Sequence, residues 1–317
     1  MMSGYEIIDT HNSIQTPAHT QGITTDLYVK FIQYLDVKPK TVETYTKGLR
    51  QLQKYFMENN IQHPQRQDII NFRDELNETL KPTTIQSYLT STKLFFRWLE
   101  QEGIYPNVAD NIKGVKIDQA HKKDYLTSEQ VRDVLSNIDR TTLTGKRDYA
   151  IVSLAVTGGL RTIEMHRANI EDIRTRGNHV VLYVQGKGKD EKNAPIKIYP
   201  PVEKAIREYL KGRDADDPSE PLFTSTSNNS NGKSLSTRSL SGIIKKAMQE
   251  VGLDSDRLTA HSLRHTAVTL ALLEGEDLQE VQQFARHSNI STTMIYNHSL
   301  NMENNSVGET ISKSIFS

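Results

Sequence analysis

The sequence contains no cysteine, carries no net charge and has no long apolar run. Without cysteine the chain cannot form disulfides, use a thiol as nucleophile or hold zinc through thiolates. No stretch approaches the roughly 20 consecutive apolar residues that a membrane-spanning helix needs. The first residues also lack the basic start and apolar run of a secretory signal. We therefore expect a cytoplasmic protein that does not bind membranes.

The charge balance bears on possible partners of the chain. Positive and negative side chains number 39 each, whereas proteins that bind nucleic acids are usually basic. Phosphate binding depends on local clustering of cations, however, and a neutral total allows one face to be basic. With 317 residues, 36% of them hydrophobic and 25% charged, the composition is that of a globular protein with room for two domains.

The periodicity of apolar residues divides the chain into five segments. Residues 1–23 show no periodicity, which predicts a flexible N-terminal tail. Residues 24–107 repeat apolar positions at three- and four-residue spacing, which predicts a helical domain. Residues 108–123 lack periodicity and end in a basic cluster, which indicates a linker. A second domain follows at 124–300, and 301–317 form a polar C-terminal tail.

The predicted fold class is mainly α-helical, with a small antiparallel β-sheet in the second domain. Two β-like runs, 179–185 and 193–199, flank a turn rich in Gly and Lys, which predicts a hairpin. The rest of the second domain alternates polar and apolar residues with a helical period. The helices are expected near residues 128–138, 147–159, from 202 onwards, 237–250, 261–273, 278–286 and 291–298.

A weak internal repeat lies in the first domain, where residues 38–45 match residues 81–88 at an offset of 43. Each copy places Pro and Thr at the start of an amphipathic helix. The match is either convergence on a common helix start or a pair of similar helices that face DNA with polar side chains. In the second case the DNA-facing residues are Lys40, Thr44, Lys47, Arg50, Thr83, Gln86, Ser87, Thr90 and Lys93.

The segment His261-Ser-Leu-Arg264-His265 places two histidines and an arginine on one face of a helix. Two histidines four residues apart are also spaced as metal ligands. Arg264 between them would repel a cation, and neither a cysteine nor an intervening glutamate completes a zinc site, so we expect no metal. An arginine flanked by a histidine is instead suited to hold a phosphate.

Three further motifs are ambiguous when each is taken alone. Arg161 and Glu164, after the paired glycines 158–159, could form only a surface ion pair. The turn Gly-Lys-Gly-Lys at 186–189 could be an ordinary solvated turn, and neither it nor residues 231–234 completes a nucleotide-binding motif. Tyr296 could be a packing residue whose hydroxyl is satisfied by a neighbour.

Together, in this order, the motifs resemble the catalytic domain of the tyrosine recombinases, the phage integrase family, over residues 124–300. That family has an Arg in a Gly-Leu-Arg-x-x-Glu context, a Lys on a hairpin, a His-x-Leu-Arg-His motif, and a His shortly before the nucleophilic Tyr. The resemblance identifies the catalytic residues as Arg161, Lys187, His261, Arg264, His287 and Tyr296, with Glu164 and His265 in supporting positions.

Two positions depart from the family pattern. Arg286 stands where a Gly commonly precedes the His, and His166 stands where a small or apolar residue is more usual. We expect Arg286 either to add a phosphate contact or to point to solvent. Neither departure replaces a residue that performs a chemical step.

The resemblance implies cleavage and rejoining of DNA through a 3′-phosphotyrosine intermediate, with Lys187 as the general acid. Arg161, Arg264 and two histidines would stabilise the charge that gathers on the phosphate. Because one phosphoester replaces another, neither a cofactor nor a metal is expected.

The resemblance also implies the partners: double-stranded DNA with specific inverted-repeat sites, and a homotetramer on two duplexes, in which the C-terminal tail can dock on a neighbour. The expected role is integration or excision of a mobile element, or resolution of DNA dimers. The few residues before the first helix favour a compact recombinase over one with an additional arm-binding domain. The alternatives are a type IB topoisomerase and a DNA-binding protein that has lost catalysis.

Overall fold

A computed structural model defines two compact units, Met1–Gln119 and Ala120–Ser317. The division falls within the stretch that the sequence indicates as a linker. Most of the predicted N-terminal tail, together with Lys187, lies outside the residues that the structure describes. Those residues are 22–116, 124–186, 188–226, 232–303 and 307–316. Among them no helix is both long and apolar enough to cross a membrane.

The described part of the first unit is helical. Its helices are α1 (Thr25–Tyr34), α2 (Pro39–Glu58), α3 (Arg66–Thr79) and α4 (Pro82–Gln101). Helices α2 and α4 correspond to the two copies of the internal repeat, and both are 20 residues long with Pro in the first turn, where its missing N–H costs nothing. They pack against each other where Gly48 meets Ser91, because a Cβ at Gly48 would lie 2.2 Å from the Ser91 Oγ.

The core of the first unit is rich in aromatic side chains. The Tyr28 and Phe95 rings stack with centroids 4.7 Å apart, and Phe31 lies 5.6 Å from Trp98. Residues after α4 complete this core, since Ala109 and Ile112 are buried in it. Residues 108–116, the first part of the predicted linker, therefore pack on the first unit, without the helical period that would have indicated burial from sequence.

The second unit combines helices with one small sheet. Strands β1 (Ile173–Arg176), β2 (His179–Val184) and β3 (Ala194–Ile198) form an antiparallel sheet in the order β1-β2-β3. Strands β2 and β3 form the predicted hairpin, with Val184 opposite Ala194 next to the connecting turn. The helices are α5 (Ser128–Asn137), α6 (Leu143–Thr157), α7 (Thr162–His166), α8 (Pro200–Gly212), α9 (Thr237–Gln249), α10 (Ala260–Leu273), α11 (Leu278–Ala285), α12 (Ile290–Glu303) and α13 (Val307–Phe316).

Side-chain caps fix where several of these helices begin. Thr127 accepts a hydrogen bond from the Gln130 N–H at the start of α5, and Thr142 and Ser236 cap α6 and α9 in the same way. Asp277 caps α11 and also complements the positive end of the helix dipole. The expected starts of α5, α9 and α11 agree with these caps, whereas α6 begins four residues before its expected start at 147.

Helix α10 is the central element of the second unit. It contacts α6, α9, α11 and α12, and nine consecutive positions from Ala260 onwards include eight that are buried. Its polar residues are therefore inside the unit, next to the ends of its neighbours. The predicted fold class, mainly α with a small antiparallel sheet, is confirmed.

Candidate active site

Two glycines place Arg161 at the edge of the second unit's core. Helix α6 ends at Gly158, and Gly159 adopts a left-handed conformation (φ 54°) that reverses the chain direction at little cost. A Cβ at Gly159 would lie 3.0 Å from the Phe284 ring, so this turn also has little space. Arg161 follows as the N-cap residue of α7.

Arg264 is the most deeply buried cation of the site. Its side chain lies on α10 with an exposed fraction of 1%. One Nη donates to the Gly159 carbonyl at 2.5 Å and the other to the Ala285 carbonyl, so the guanidinium ties the end of α6 to the end of α11. Burial, together with the neighbouring cations Arg161 and Arg286, lowers the pKa of Arg264 to about 9. Arg264 remains a cation at neutral pH.

Glu164 is fully buried between two arginines. It accepts hydrogen bonds from the Arg161 backbone N–H at 2.8 Å and from the Arg161 Nη1 at 2.9 Å. On its other side the Arg286 Nη2 donates at 2.9 Å. Burial by itself raises the pKa of Glu164, but Arg286 and Arg161 outweigh it and hold that pKa below its ordinary value. Glu164 is therefore an anion that fixes the orientation of Arg161.

His287 directly follows the end of α11. Its Nδ1 lies 2.9 Å from the Thr293 Oγ1, and its backbone carbonyl accepts from the Gln282 amide at 3.1 Å. Partial burial and the cations Arg264, Arg161, Arg286 and His261, in that order, lower the pKa of His287 to about 4. His287 is therefore neutral at physiological pH and offers one donor and one acceptor nitrogen.

Tyr296 lies on α12 with an exposed fraction of 3%, packed against Val268, Val281 and Ala285. The His265 ring meets the Tyr296 ring edge-on, with centroids 4.4 Å apart, and the His287 ring stacks at 6.2 Å. Burial raises the pKa of the Tyr296 phenol, while Arg264 and Arg161 act in the opposite direction. The Tyr296 side chain thus packs in a core cluster and also lies next to the cations Arg264 and Arg161. This position is compatible with a packing residue and with a nucleophile.

His265 and His261 have different environments on α10. His265 is buried, its Nδ1 lies 3.0 Å from the Thr269 Oγ1, and its ring stacks on Tyr125. His261 is exposed and lines, with Arg161, a cavity of about 600 Å³ between α7, α9 and the start of α10. In the part of the chain that the structure describes, no three His, Asp or Glu side chains are grouped to hold a metal ion.

Lys187 lies outside the described residues, so its predicted role stays a prediction. Its neighbours define the turn: Gly188 adopts a left-handed conformation (φ 77°), and the Lys189 N–H donates to the Gly186 carbonyl at 3.2 Å. The Arg167 Nη1 also donates to the Gly186 carbonyl at 3.5 Å.

The candidate DNA-contacting residues of the first unit differ in accessibility. Lys40 and Lys47 are exposed, and each forms an ion pair with Glu43, at 2.6 and 2.9 Å. Lys93 is partly buried and donates to the Ile112 carbonyl at 2.5 Å, which ties α4 to the chain that follows it. Arg50 and Thr83 are exposed, whereas Thr44, Gln86, Ser87 and Thr90 are partly buried.

Both departures from the family pattern make internal contacts. The Arg286 side chain has an exposed fraction of 15% and binds Glu164. The expectation that it points to solvent is therefore wrong. His166 places its Nδ1 2.8 Å from the Leu235 carbonyl and connects α7 to the loop before α9. Thr293, buried beside His287, was not predicted, and nothing in the sequence distinguishes it from its neighbours Ser291 and Thr292.

The arrangement brings five of the six predicted catalytic residues together around one point. Arg161, Arg264 and His287 surround Tyr296, and His261 lies across the cavity that Arg161 lines. Fixed cations next to a protonated phenol suit a reaction in which negative charge develops on a bound oxyanion.

Comparisons with known proteins indicate one family for both units of the chain. Residues 124–303 match the phage integrase family, and residues 27–103 match the phage integrase N-terminal SAM-like domain. The tyrosine recombinase XerC of Thermodesulfovibrio yellowstonii is 32% identical over 222 residues, covering 68% of this chain and 71% of that protein. XerC of Herpetosiphon aurantiacus is 31% identical over 286 residues, covering 85% and 89%.

Solved structures share the fold. The XerH site-specific recombinase bound to its palindromic difH substrate matches with a TM-score of 0.70 at 22% identity, over 84% of this chain and 80% of that one. The Tn1549 transposon integrase bound to transposon right-end DNA matches with a TM-score of 0.67 at 19% identity, over 89% and 98%.

Proposed function

The chain belongs to the phage integrase family and is a tyrosine recombinase, an enzyme of site-specific DNA recombination, and on that premise we propose that Tyr296 is its nucleophile. The observation that carries the proposal is the position of the Tyr296 ring, which is held between His265 and His287 beside Arg264 and Arg161. A phosphate bound by these two arginines would lie next to the phenol of Tyr296.

The chemical step exchanges one phosphoester for another. The Tyr296 hydroxyl oxygen attacks the phosphorus, a bond forms between them, and the bond from phosphorus to the 5′ oxygen breaks. Arg161 and Arg264 stabilise the charge that develops on the non-bridging oxygens, and His261 and neutral His287 add hydrogen-bond donors. The products are a 3′-phosphotyrosyl bond and a free 5′ hydroxyl.

Two proton transfers accompany the step. Lys187, which lies between β2 and β3 in the sequence, donates a proton to the departing 5′ oxygen, as the family resemblance implies. The phenol loses its proton as it attacks, because burial keeps the pKa of Tyr296 raised before DNA binds. His265, whose ring touches that of Tyr296, orients the phenol and accepts its proton.

The substrate is double-stranded DNA, and the reverse step joins strands. Attack by the 5′ hydroxyl of a partner duplex on the phosphotyrosine releases Tyr296 and seals a new DNA strand. The solved structures of similar recombinases hold DNA, XerH with a palindromic site and lambda integrase as a dimer on a core site. We propose inverted-repeat sites and a tetramer on two duplexes for this chain.

Contacts between protomers would use α13. Its apolar residues Val307, Ile311 and Ile315 recur at four-residue spacing, with exposed fractions of 59%, 52% and 64%, followed by Phe316 at 83%. A helical stripe of this kind is suited to dock in an apolar groove of a neighbouring molecule. This supports docking of the C-terminal segment in trans.

The proposal is tested by trapping the intermediate. A pool of duplexes with inverted arms of random sequence, each nicked next to the central spacer, is incubated with the protein in EDTA. The nick releases the short fragment that carries the free 5′ hydroxyl. Without that hydroxyl the strand cannot be resealed, so the cleaved DNA stays covalently attached to the protein. We expect a covalent protein–DNA adduct with the wild type and none with Tyr296→Phe, which keeps the packing of the ring.

The same experiment separates the alternatives. An adduct of the wild type that persists in Tyr296→Phe contradicts the assignment of the nucleophile. No adduct across the whole pool, despite DNA binding, supports a protein without catalysis. Adduct formation together with relaxation of supercoiled DNA that lacks the selected site supports a topoisomerase.

A further inference from the structure

Arg286 adopts a backbone conformation that its residue type disfavours. It ends α11 with φ 54° and ψ 42°, the left-handed region that glycine occupies without strain. The tyrosine recombinase pattern commonly has Gly at this position. A chain that keeps Arg here must compensate for the strain through the side chain.

The side chain of Arg286 is directed into the unit. Its Nη2 donates to the Glu164 carboxylate and to the Gly159 carbonyl, both at 2.9 Å, and its Nη1 donates to the Phe284 carbonyl at 2.7 Å. The Nε lies 3.4 Å from the second Glu164 oxygen. All three guanidinium nitrogens thus donate to protein acceptors, so Arg286 is placed to act on the site through Glu164.

The charges around Glu164 explain what this second arginine does. Glu164 is fully buried, and without Arg286 its whole charge would be balanced by Arg161. Two opposite charges in a buried pair present little net field to a third group. With Arg286 on the other side of the carboxylate, three guanidiniums face one anion, and Arg161 retains positive charge toward the cavity that it lines with His261.

We propose that Arg286 is a positioning residue that neutralises Glu164, so that the charge of Arg161 remains available to the scissile phosphate. The inference rests on the proposed function, in which Arg161 stabilises that phosphate. Arg286 also fixes the turn that precedes His287, because its own carbonyl accepts from the Arg161 Nη2 at 3.4 Å. Arg286 thereby couples the turn between α6 and α7, where Arg161 lies, to the segment that leads to Tyr296.

The first test is a double-mutant cycle between Arg286 and Glu164. Arg286→Met removes the charge and keeps most of the side-chain length, Glu164→Gln removes the partner charge, and Arg286→Lys keeps the cation. Cleavage is measured in single turnover on a nicked duplex that forms the Tyr296 adduct with the wild type. We expect R286M to slow cleavage by about 10-fold or more, R286K to restore part of the rate, and R286M/E164Q to cleave faster than R286M.

The second test changes the charge of the phosphate itself. In a methylphosphonate duplex one non-bridging oxygen of the scissile group is replaced by methyl, so the reacting centre is neutral and needs less positive charge. If Arg286 acts on the charge of Arg161, R286M loses less rate on the methylphosphonate than on the phosphodiester. A purely structural loss would reduce cleavage of both substrates by the same factor.

The outcomes distinguish this inference from the proposed function. No Tyr296-dependent adduct with the wild type contradicts the proposed function itself. Wild-type cleavage with equal losses of R286M on both substrates, or a double variant no faster than R286M, overturns the role of Arg286 alone. Circular dichroism and thermal melting verify that each variant folds, and if R286M does not, Arg286→Gln, which still donates to Glu164 without charge, replaces it.

Discussion

His287 is surrounded by cations, and this environment determines how the residue responds to pH. Arg264, Arg161, Arg286 and His261 all disfavour a further positive charge, in addition to partial burial, so the pKa of His287 falls to about 4. A histidine in an unfolded chain titrates near 6.5. Between these two values the unfolded state binds a proton that the folded state does not.

The first prediction concerns stability as a function of pH. Since the unfolded chain takes up the proton first, the contribution of His287 to the free energy of unfolding is fully present above about pH 6.5 and decreases as pH falls toward 4. We expect the urea midpoint of the wild type to fall more between pH 7.5 and 5 than that of His287→Asn. An equal fall in both proteins would show that His287 titrates normally.

The residues that we propose to perform the chemistry could be predicted from the sequence because their types and order match the motifs of the family. Arg161, Arg264 and Tyr296 were expected to meet, and they do. Arg286 was expected at a phosphate or in solvent and instead binds Glu164, because its position depends on a left-handed turn and on a carboxylate 122 residues away. No local pattern encodes a contact over that separation.

At the scale of secondary-structure elements, α2 and α4 approach each other closely where Gly48 meets Ser91. Gly48 on α2 and Ser91 on α4 occupy equivalent positions of the internal repeat, so the two helices cross at corresponding points. A helix interior normally favours Ala over Gly by about 1 kcal/mol. Here the missing Cβ is what allows the backbones to approach.

The second prediction is that, at position 48, Ala makes the protein less stable than Gly does. In Gly48→Ala the new Cβ would lie 2.2 Å from the Ser91 Oγ and 3.0 Å from the Tyr88 Cα, so the helices must separate. We expect the free energy of unfolding of the first unit to decrease by about 1–3 kcal/mol, measured by urea denaturation.

Gly242 on α9 provides the matched control for this experiment. It is also in a helix, but a Cβ there would meet no atom within 4 Å. Gly242→Ala should therefore leave stability unchanged or raise it by up to about 1 kcal/mol. If Gly48→Ala raised the free energy of unfolding by the same amount, that result would contradict the close packing of α2 and α4.

The sequence predicted elements where the apolar period is regular and missed them where it is not. The β2–β3 hairpin was expected, whereas β1, with four mostly exposed residues, shows no alternation. The C-terminal segment was expected to be a polar tail, yet 307–316 form α13. Its apolar residues recur at four-residue spacing, but within ten residues they are too few to stand out against the polar residues between them.

At the scale of the whole molecule, the neutral total charge conceals local separation of charge. The described active site contains three arginines against one carboxylate, although Lys+Arg and Asp+Glu are equal in number. Net charge is therefore a poor guide to local charge in this chain, because these three arginines are grouped around one carboxylate in the second unit.

The third prediction concerns assembly. Ile311→Asp places a charge in the middle of the exposed stripe of α13, away from the residues around Tyr296. We expect this variant to form the Tyr296 adduct on a nicked single site, at a rate near that of the wild type, and to lose recombination between two sites. Thr310→Asp, on the same helix but outside the stripe, should retain recombination, and a variant Ile311→Asp that recombines normally would contradict docking through α13.

The long sequence separation of the contacts in the active site has a consequence for biosynthesis. Gly159 and Arg161 emerge from the ribosome before Arg264 and Arg286. These two arginines donate to the Gly159 carbonyl and follow Gly159 by 105 and 127 residues. A nascent or prematurely terminated chain therefore has no formed phosphate site and no phenol beside it. On the proposed function, incomplete translation products that lack Tyr296 would not nick DNA, because the nucleophile follows all of these arginines in the chain.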